Sequence, residues 1–431
     1  MSLAGKPKPI ILNPTLRWFL FAMILANIAS SMVFAMLPLY LTNLGASVAQ
    51  VGLVFSAAAL VPLVLQIMGG LLSDTIGRLR TIAIGSSAAT LGYLGFVLAP
   101  SWGWVLVALC LEFISGSLVG PSFSAFIADQ SGESERGRVF GLTNGIFMVV
   151  GVIGPLLAGW LVDQRGFKTM MLVAFILYAC ASVLRIWMAT TRRFESRQRT
   201  EKPSLSSLRS RLGGILALLA SGGIVTWILI TDGISDVAAR LSNELQPIYV
   251  SQIGGLSMTQ IGSLNSIMSL TMMVIMILAG WLSDHIGERI AIAAGFFLQF
   301  IGLIVFVSVS QYPGFILVAL ILGASFGTII PAYDSLVSKA VPENMRGVAF
   351  GFFRSSLGLI SLPAPWIGAQ LWEKFSPQTP FLVTAAATLS GVFLAWFKFR
   401  QSRGAPAALP RETSLGPGGE GTVGELQPPA H

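Results

Sequence analysis

Long apolar stretches alternate with short polar ones along nearly the whole chain. WFLFAMILANIASSMVFAMLPLYL and MMLVAFILYACASVLRIWM are two examples, and each is about as long as the roughly 20 residues that cross a bilayer as an α-helix. The two-residue alternation of membrane β-strands is absent from the sequence. The pattern predicts an all-α integral membrane protein with twelve transmembrane helices, at residues 15–42, 48–73, 80–100, 104–128, 139–163, 168–190, 224–251, 258–283, 290–310, 314–338, 348–372 and 379–398.

Composition supports this class, because 54% of the residues are hydrophobic and only 11% are charged. An ordinary soluble domain carries about 25% charged residues. The start of the seventh helix stays open, since residues 213–230 are apolar as well. Either that helix begins early, or residues 205–222 form an interfacial segment in front of it.

Lys and Arg residues, which accumulate on the cytoplasmic side of membrane proteins, predict the orientation. Arg165, Lys168 and Lys374 fall on the outer side and Arg240 and Arg354 fall within helices, which leaves 22 of the 27 basic residues at cytoplasmic ends and loops. We therefore expect a multi-pass protein of the cell membrane with both termini in the cytoplasm. The same bias accounts for the net charge of +8, so nucleic-acid binding is not expected.

An internal repeat divides the chain into two halves of one design. A shift of 210 residues takes Gly70 to Gly280, Asp74 to Asp284, Gly77 to Gly287 and Pro155 to Pro365. Two halves of six helices each have the same orientation, which places a central site between them. The expected organisation is an N-terminus at 1–14, a first six-helix bundle at 15–190, a linker with an interfacial helix as one alternative at 191–223, a second six-helix bundle at 224–400 and a disordered Gly- and Pro-rich tail at 401–431.

The polar turn between the second and third helices carries a recognisable motif. It reads GGLLSDTIGRLR, and its pattern of Gly70, Leu72, Asp74, Gly77 and Arg78 resembles the signature loop of the major facilitator superfamily. The resemblance covers the chain to about residue 400, because the number of helices, the repeat and the motif coincide. It implies two pseudo-symmetric six-helix bundles and transport by alternating access.

The resemblance also implies a conformational latch at this turn. Asp74 is expected to meet the positive N-terminal end of the eleventh helix, near Gly347, in the other half. The expected latch residues are Gly70, Asp74, Gly77, Arg78, Arg136, Asp284, Gly287 and Arg346. The second copy has Glu288 where the first has Arg78, which weakens the case for Asp284. The alternative is an ordinary helix end with orienting charges.

The fifth helix contains GVIGPLLAGW, which resembles the Gly-Pro signature of the drug:proton antiporter branch. Gly151, Gly154, Pro155 and Gly159 are expected to allow close helix packing and a bend at the proline. Gly151 lies three residues before Gly154, where the antiporter pattern has four. A generic kinked and tightly packed helix is the alternative.

The fourth helix departs from that branch in one informative way. Glu112 stands where the antiporter pattern has an Arg, and it has no acidic mate in the second half. Ionisable groups inside a membrane are costly, so such a group is a functional candidate by default. We expect Glu112 to carry the coupling proton or to contact the substrate, with a structurally satisfied buried acid as the alternative.

The seventh helix holds four ionisable residues at successive i, i+4 positions, which places them on one helical face: Asp232, Asp236, Arg240 and Glu244. This face is expected to look into the cavity, with Asp236 and Arg240 neutralising one another and Asp232 and Glu244 left as the freer carboxylates. If the helix begins near residue 213, Glu244 and Arg240 instead lie at the outer surface. Asp334 in the tenth helix is a weaker candidate.

The remaining signals concern energy and chemistry. No GxxxxGK[ST] run exists to bind ATP, and the chain has only two His residues, no metal-ligand spacing and no CxxC pair. We therefore expect no cofactor, no metal and no enzymatic activity. The sequence predicts a secondary active transporter, a monomer, that exports small amphipathic or hydrophobic compounds in exchange for protons or another coupling ion. An importer or facilitator of a polar metabolite and a transport-dead membrane sensor are the alternatives.

Overall fold

The computed structural model describes residues 14–131, 135–191, 223–341 and 358–399. In this part of the chain all regular structure is helical, which confirms the all-α membrane class. The helices are α1 Pro14–Asn43, α2 Val48–Ala58, α3 Leu60–Ile76, α4 Arg78–Leu98, α5 Trp102–Gln130, α6 Arg136–Thr190, α7 Ile224–Ser242, α8 Gln246–Gln252, α9 Met258–Ile286, α10 Glu288–Ser308, α11 Tyr312–Ala340, α12 Ala364–Lys374 and α13 Thr379–Lys398.

Most of the predicted spans fall on these helices. Nine helical segments of the described part are long and apolar enough to cross a membrane. One of them, α6, holds two predicted spans, because Gly166 has non-helical backbone angles (φ 81°, ψ 169°) at the polar turn between them. Part of the eleventh span, residues 342–357, lies outside the described residues, so the count of twelve stays a prediction.

The seventh span is broken rather than continuous. Its helix α7 begins at Ile224, since Gly223 before it has extended backbone angles, which favours the later of the two predicted starts. Residues 205–222 lie outside the described part of the chain. A 3₁₀ turn at Asn243–Leu245 separates α7 from α8. The prediction that four ionisable residues share one continuous helix is therefore wrong for Glu244, which lies in this turn.

The apolar core shows how the two halves meet. One large cluster of buried side chains contains residues of both halves, such as Tyr40 and Val51 of the first and Tyr249 and Ile261 of the second. Two smaller clusters each belong to one half, one around Phe19 and Phe126 and the other around Phe296 and Tyr333. The halves therefore share a core at one end of the molecule and have separate cores at the other.

The end with separate cores carries two turns that are related by the repeat, and we call it the hinge end. Gly77 (φ 101°) and Gly287 (φ 90°) make these turns with positive backbone angles that favour glycine. We call the opposite end, which holds the starts of α2 and α9, the closed end. Between the two ends lies the region that the cavity occupies.

The residue after each hinge glycine forms an ion pair with a residue near the end of a later helix of the same half, α5 or α11. The basic and the acidic member of the pair are exchanged between the halves. Arg78 Nε lies 3.4 Å from Asp129 Oδ2, whereas Glu288 pairs with Lys339 and accepts a hydrogen bond of 2.9 Å from Ser335. Adding 210 takes Arg78 to Glu288 and Asp129 to Lys339. The departure at Glu288 is thus compensated by a second departure that the motif alone does not reveal.

Glu288 is the first residue of α10 and follows Gly287, the glycine of the hinge turn. The side chain of Glu288 is held by two groups of α11, Ser335 and Lys339.

Exchanging the charges of this pair provides a test of the compensation. Lys339→Asp should lower the free energy of unfolding by about 1 kcal/mol, because it places two carboxylates together in a partly exposed site. The double variant Glu288→Arg/Lys339→Asp copies the arrangement of the first half and should recover most of that loss. Thermal unfolding of detergent-purified protein measures both effects, and Lys168→Asp, at an exposed position of the closed end, is the control. A double variant no more stable than Lys339→Asp would contradict the compensation.

Candidate substrate cavity and coupling residues

Backbone-to-backbone contacts join the halves at the closed end. A methyl group at Gly262 of α9 would lie 2.2 Å from the carbonyl oxygen of Pro155 in α6. The mate of Gly262 is Gly52 of α2, where a methyl group would lie 2.5 Å from the carbonyl oxygen of Pro365. Because 2.2–2.5 Å is too close for a carbon atom, glycine is required at both positions. The two contacts are copies of one another across the repeat.

The glycines and proline of the fifth span take part in this contact. A methyl group at Gly159 would lie 2.1 Å from the carbonyl oxygen of Met258 in the other half. Gly154 faces α1 of its own half, where a methyl group would lie 1.8 Å from Ser31 Oγ, and Gly151 lines the cavity. The backbone stays helical through Pro155, since Gly166 is the residue of α6 with non-helical angles. In this structure the motif serves mainly to bring backbones together.

A cavity of about 450 Å³ lies between the halves. Its lining is mostly apolar and contains four phenylalanines: Phe34 from the first half, and Phe306, Phe315 and Phe326 from the second. The polar groups that line it include Ser31, Asn243, Glu244, Gln246, Asn265 and Ser269. This combination of an apolar wall with a few polar groups is typical of small-molecule sites, which measure about 300–1,000 Å³.

Glu244 is the acidic residue among the described side chains that line this cavity. The 3₁₀ turn of the seventh span carries it into the wall, and the charge of Arg240 acts on it from the preceding helical turn. An ionisable group at a broken helix inside a membrane protein is typical of substrate and ion sites, because irregular backbone is tolerated there only where it lines a cavity or is buried in protein. Of the predicted candidates, Glu244 is the one the structure places in the cavity wall.

The other ionisable residues of the seventh span lie towards the hinge end. Arg240 Nε donates to Asp236 Oδ2 at 3.0 Å, so the expected pair forms. The expectation that Asp232 is a freer carboxylate is not supported, because Asp232 has partners and acts electrostatically on Tyr333. Asp334 is exposed near the hinge end, away from the cavity lining.

Glu112 lies inside the first bundle, one layer behind the cavity wall. Its carboxyl group lies near the hydroxyl of Ser30 on α1, while the next residue of α1, Ser31, lines the cavity. Phe34 also lines the cavity, and its ring stacks on that of Phe113, the neighbour of Glu112, at a centroid distance of 6.1 Å. Two contacts through α1 therefore connect the cavity with the surroundings of Glu112.

Sequence reasoning missed a buried cation in the same bundle. Arg185 was counted with the basic residues of the cytoplasmic ends, yet only 1% of its surface is exposed. It donates to Ser86 Oγ at 2.8 Å and lies 5.7 Å from the ring centre of Tyr178, whose hydroxyl contacts Ser115 at 3.2 Å. No carboxylate lies within 4 Å of Arg185 in the part of the chain that the structure describes. Its distance of five residues from the predicted helix end, at residue 190, is a signal that the sequence offers.

The expected latch residues form contacts within their own half. Asp74 pairs with Arg78, and Arg136 donates to the carbonyl of Ala128 at 3.3 Å. Arg346 lies outside the described residues, and so does the expected partner end of the eleventh helix. The backbone of Asp284 lies at the end of α9 and that of Gly70 in α3. The latch role of this set stays a prediction.

The described residues contain no group of three or more His, Cys, Asp and Glu side chains that could hold a metal ion. The polar groups of the cavity are hydroxyls, amides and one carboxylate, which suit hydrogen bonding and charge recognition.

Comparison with known proteins agrees with the architecture. The family model described as Major Facilitator Superfamily matches residues 19–235 and 233–424. A multi-drug resistance efflux pump PmrA homolog of Lactococcus lactis is 26% identical over 382 residues, which cover 86% of this chain and 91% of that protein. The multidrug resistance protein MdtG of Citrobacter koseri is 26% identical over 410 residues, covering 92% and 97%.

Solved structures share the fold at lower identity. The nucleoside transporter NupG aligns with a TM-score of 0.74 at 14% identity, over 90% of this chain and all of that one. An auto-inhibited POT family peptide transporter aligns with a TM-score of 0.75 at 13% identity, over 92% and 99%. The repeat, the cavity between two helical bundles and the match of the family model over most of the sequence lead to one conclusion: the chain belongs to the major facilitator superfamily and is a multi-pass membrane transporter of small molecules, not an enzyme.

Proposed function

We propose that this transporter exports small amphipathic or hydrophobic compounds, cationic ones above all, in exchange for protons. The observation that carries the proposal is the cavity, whose lining contains four phenylalanines and one carboxylate, that of Glu244. Aromatic rings bind apolar bodies and attract cations, and a carboxylate in apolar surroundings favours a positively charged ligand over a neutral one. The relatives named as multidrug efflux proteins support the direction of transport.

Glu112 is the residue we assign to proton coupling. It lies outside the described cavity lining, so a bound substrate has no direct contact with it there. Gain of a proton removes the charge of Glu112 and changes its interaction with the nearby hydroxyl of Ser30 on α1. Because Ser31 and Phe34 of the same helix line the cavity, a shift of α1 that follows protonation also alters the wall that contacts the substrate.

The orientation follows from the distribution of Lys and Arg residues. It places both termini and the hinge end in the cytoplasm and the closed end at the outer face of the cell membrane. In this arrangement the structure corresponds to a state that is closed towards the outside. The transporter is proposed to function as a monomer, since the cavity is complete within one chain.

The role of Glu244 predicts a selective loss of cationic substrates. Glu244→Gln keeps the size of the side chain and removes its charge, so the affinity for a lipophilic cation should fall about tenfold or more, as expected for a hydrogen bond or ion contact worth about 1.5–3 kcal/mol. The affinity for a neutral compound of similar size should change little. Equilibrium binding of tetraphenylphosphonium and of a neutral aromatic analogue to purified protein measures the difference.

Asp334→Asn is the matched control for this substitution, because it removes an acidic charge from an exposed position near the hinge end. Equal loss of cationic and neutral ligands in Glu244→Gln would contradict charge recognition by Glu244. Binding of polar metabolites in place of both ligands would favour the importer or facilitator instead.

The role of Glu112 predicts a separation of uphill from downhill transport. Glu112→Gln cannot release a proton, so accumulation of substrate driven by a pH gradient should be abolished. Downhill exchange of the same substrate across liposome membranes should survive, because the cavity lining is unchanged. Proteoliposomes that contain the purified variant allow both rates to be measured in one preparation.

The Asp334→Asn variant again serves as the control, and it should retain both kinds of transport. Unchanged uphill transport in Glu112→Gln would refute the coupling role. Loss of exchange and of substrate binding in Glu112→Gln would instead assign Glu112 to the substrate site.

A further inference from the structure

The helices α2 and α9 begin at the closed end with the same local structure. Ser47 caps α2, where its backbone N–H donates to Gln50 Oε1 at 2.8 Å and its hydroxyl accepts from the backbone of Gln50 at 3.3 Å. Ser257 and Gln260 repeat this capping box at α9 with distances of 3.0 and 3.3 Å. A capping box satisfies part of a helix start and leaves the backbone donors of the intervening residues for other acceptors.

A carboxylate from the other half accepts those remaining donors. Asp163, at the end of the fifth span, receives the backbone N–H of Met258 at 3.1 Å and that of Thr259 at 2.7 Å. Glu373, in the last turn of α12, receives the backbone N–H of Ala49 at 2.8 Å. Each carboxylate thus completes the cap of a helix that belongs to the opposite half.

The two contacts are repeat mates, except that the bond from Met258 has no counterpart at Val48. Adding 210 takes Ala49 to Thr259 and Asp163 to Glu373, and it also takes Ser47 to Ser257 and Gln50 to Gln260. The close packing beside each contact repeats as well, since a methyl group at Gly262 would lie 3.3 Å from Gly159 Cα and one at Gly52 would lie 2.6 Å from Ala369 Cβ. A chance contact would not recur with the same partners in both halves.

The position of each acid within its own helix is unfavourable. Asp163 and Glu373 lie at C-terminal helix ends, where the helix dipole disfavours a negative charge. At the N-terminus of the opposing helix the dipole favours the same charge, and the backbone donors are aimed at it. The favourable partner is present only while the two halves touch at this end.

We propose that Asp163 and Glu373 form a pair of matched latches that hold the closed end shut and thereby set the balance between the two states of the transport cycle. When the halves separate at this end, both carboxylates and both helix starts become hydrated. Because the hydrogen bonds lie at an exposed rim, each latch is weak enough to open in every cycle. The inference does not depend on the substrate or on the coupling ion.

Distance measurements between the halves test this proposal. Spin labels at Ser101→Cys and Gln311→Cys, two exposed residues at the closed end of opposite halves, report its opening after Cys110 and Cys180 are replaced by Ala. The variants are Asp163→Asn, Glu373→Gln and their combination. The pH and detergent are chosen so that unsubstituted protein shows both a short and a long distance.

Each single variant should raise the ratio of open to closed protein about two- to fivefold, which corresponds to the usual 0.3–1 kcal/mol of a charge at a helix terminus. The combination should raise it about four- to twenty-five-fold, because both latches bias one equilibrium. Arg165→Gln and Lys374→Gln are matched controls, since they remove an exposed charge within two residues of each latch, and they should leave the ratio unchanged.

Two results would overturn the proposal: variants that match the controls, or variants that shift the ratio towards the closed form. The two latches are tested separately, so Glu373→Gln decides the matter if Asp163→Asn is not recovered as folded protein, and the reverse. Failure of proton coupling or of cation recognition leaves these distances unaffected, which separates this test from those of the proposed function.

Discussion

The structure depends on direct backbone contacts between its two halves, at positions where glycine leaves no side chain between the helices. At Gly52 and Gly262 the helices of one half lie against carbonyl oxygens of the other at separations that no side chain fits. In a membrane, where lipid competes with any apolar side chain, such close van der Waals contact is a main source of helix association. The shared apolar core, the roof of the cavity and the two carboxylate caps all lie beside these contacts.

The same constraint explains why the halves are able to move. The hydrogen bonds that accompany the backbone contacts at the closed end lie at an exposed rim, so water replaces them when the halves separate. At the hinge end each half has its own core and its own ion pair, Arg78 with Asp129 and Glu288 with Lys339. Each bundle therefore stays intact while the interface between the bundles changes, as rigid-body alternating access requires.

The positions of the ionisable residues follow from the cost of charge in a membrane. Glu244 lies at the 3₁₀ turn of the seventh span, in the wall of a mostly apolar cavity, and Asp236 is paired with Arg240. Arg185 is buried among a serine, a methionine and a tyrosine of the first bundle. These groups fall in three different environments, so they are not equivalent candidates for one role.

Much of the architecture is predictable from the sequence, because hydrophobic length reports membrane spans and a shift of 210 residues reports the repeat. The predictions fail where tertiary contacts decide. A run of i, i+4 charges suggested one helical face, but Pro247 and the 3₁₀ turn redirect Glu244. Asp163 and Glu373 look like ordinary loop charges, although their relation through the repeat was visible, and Arg185 resembles a residue at a helix end.

Gradient-driven transport by the unsubstituted protein tests the central claim most directly. Purified protein in liposomes with an imposed pH gradient should accumulate a lipophilic cation such as tetraphenylphosphonium against its concentration gradient, in the compartment from which protons leave. A proton uncoupler should release the accumulated cation within the same experiment. Transport of the cation that does not depend on the pH gradient would contradict proton coupling. If the cation binds but is not transported at all, the protein would be a sensor in place of a transporter.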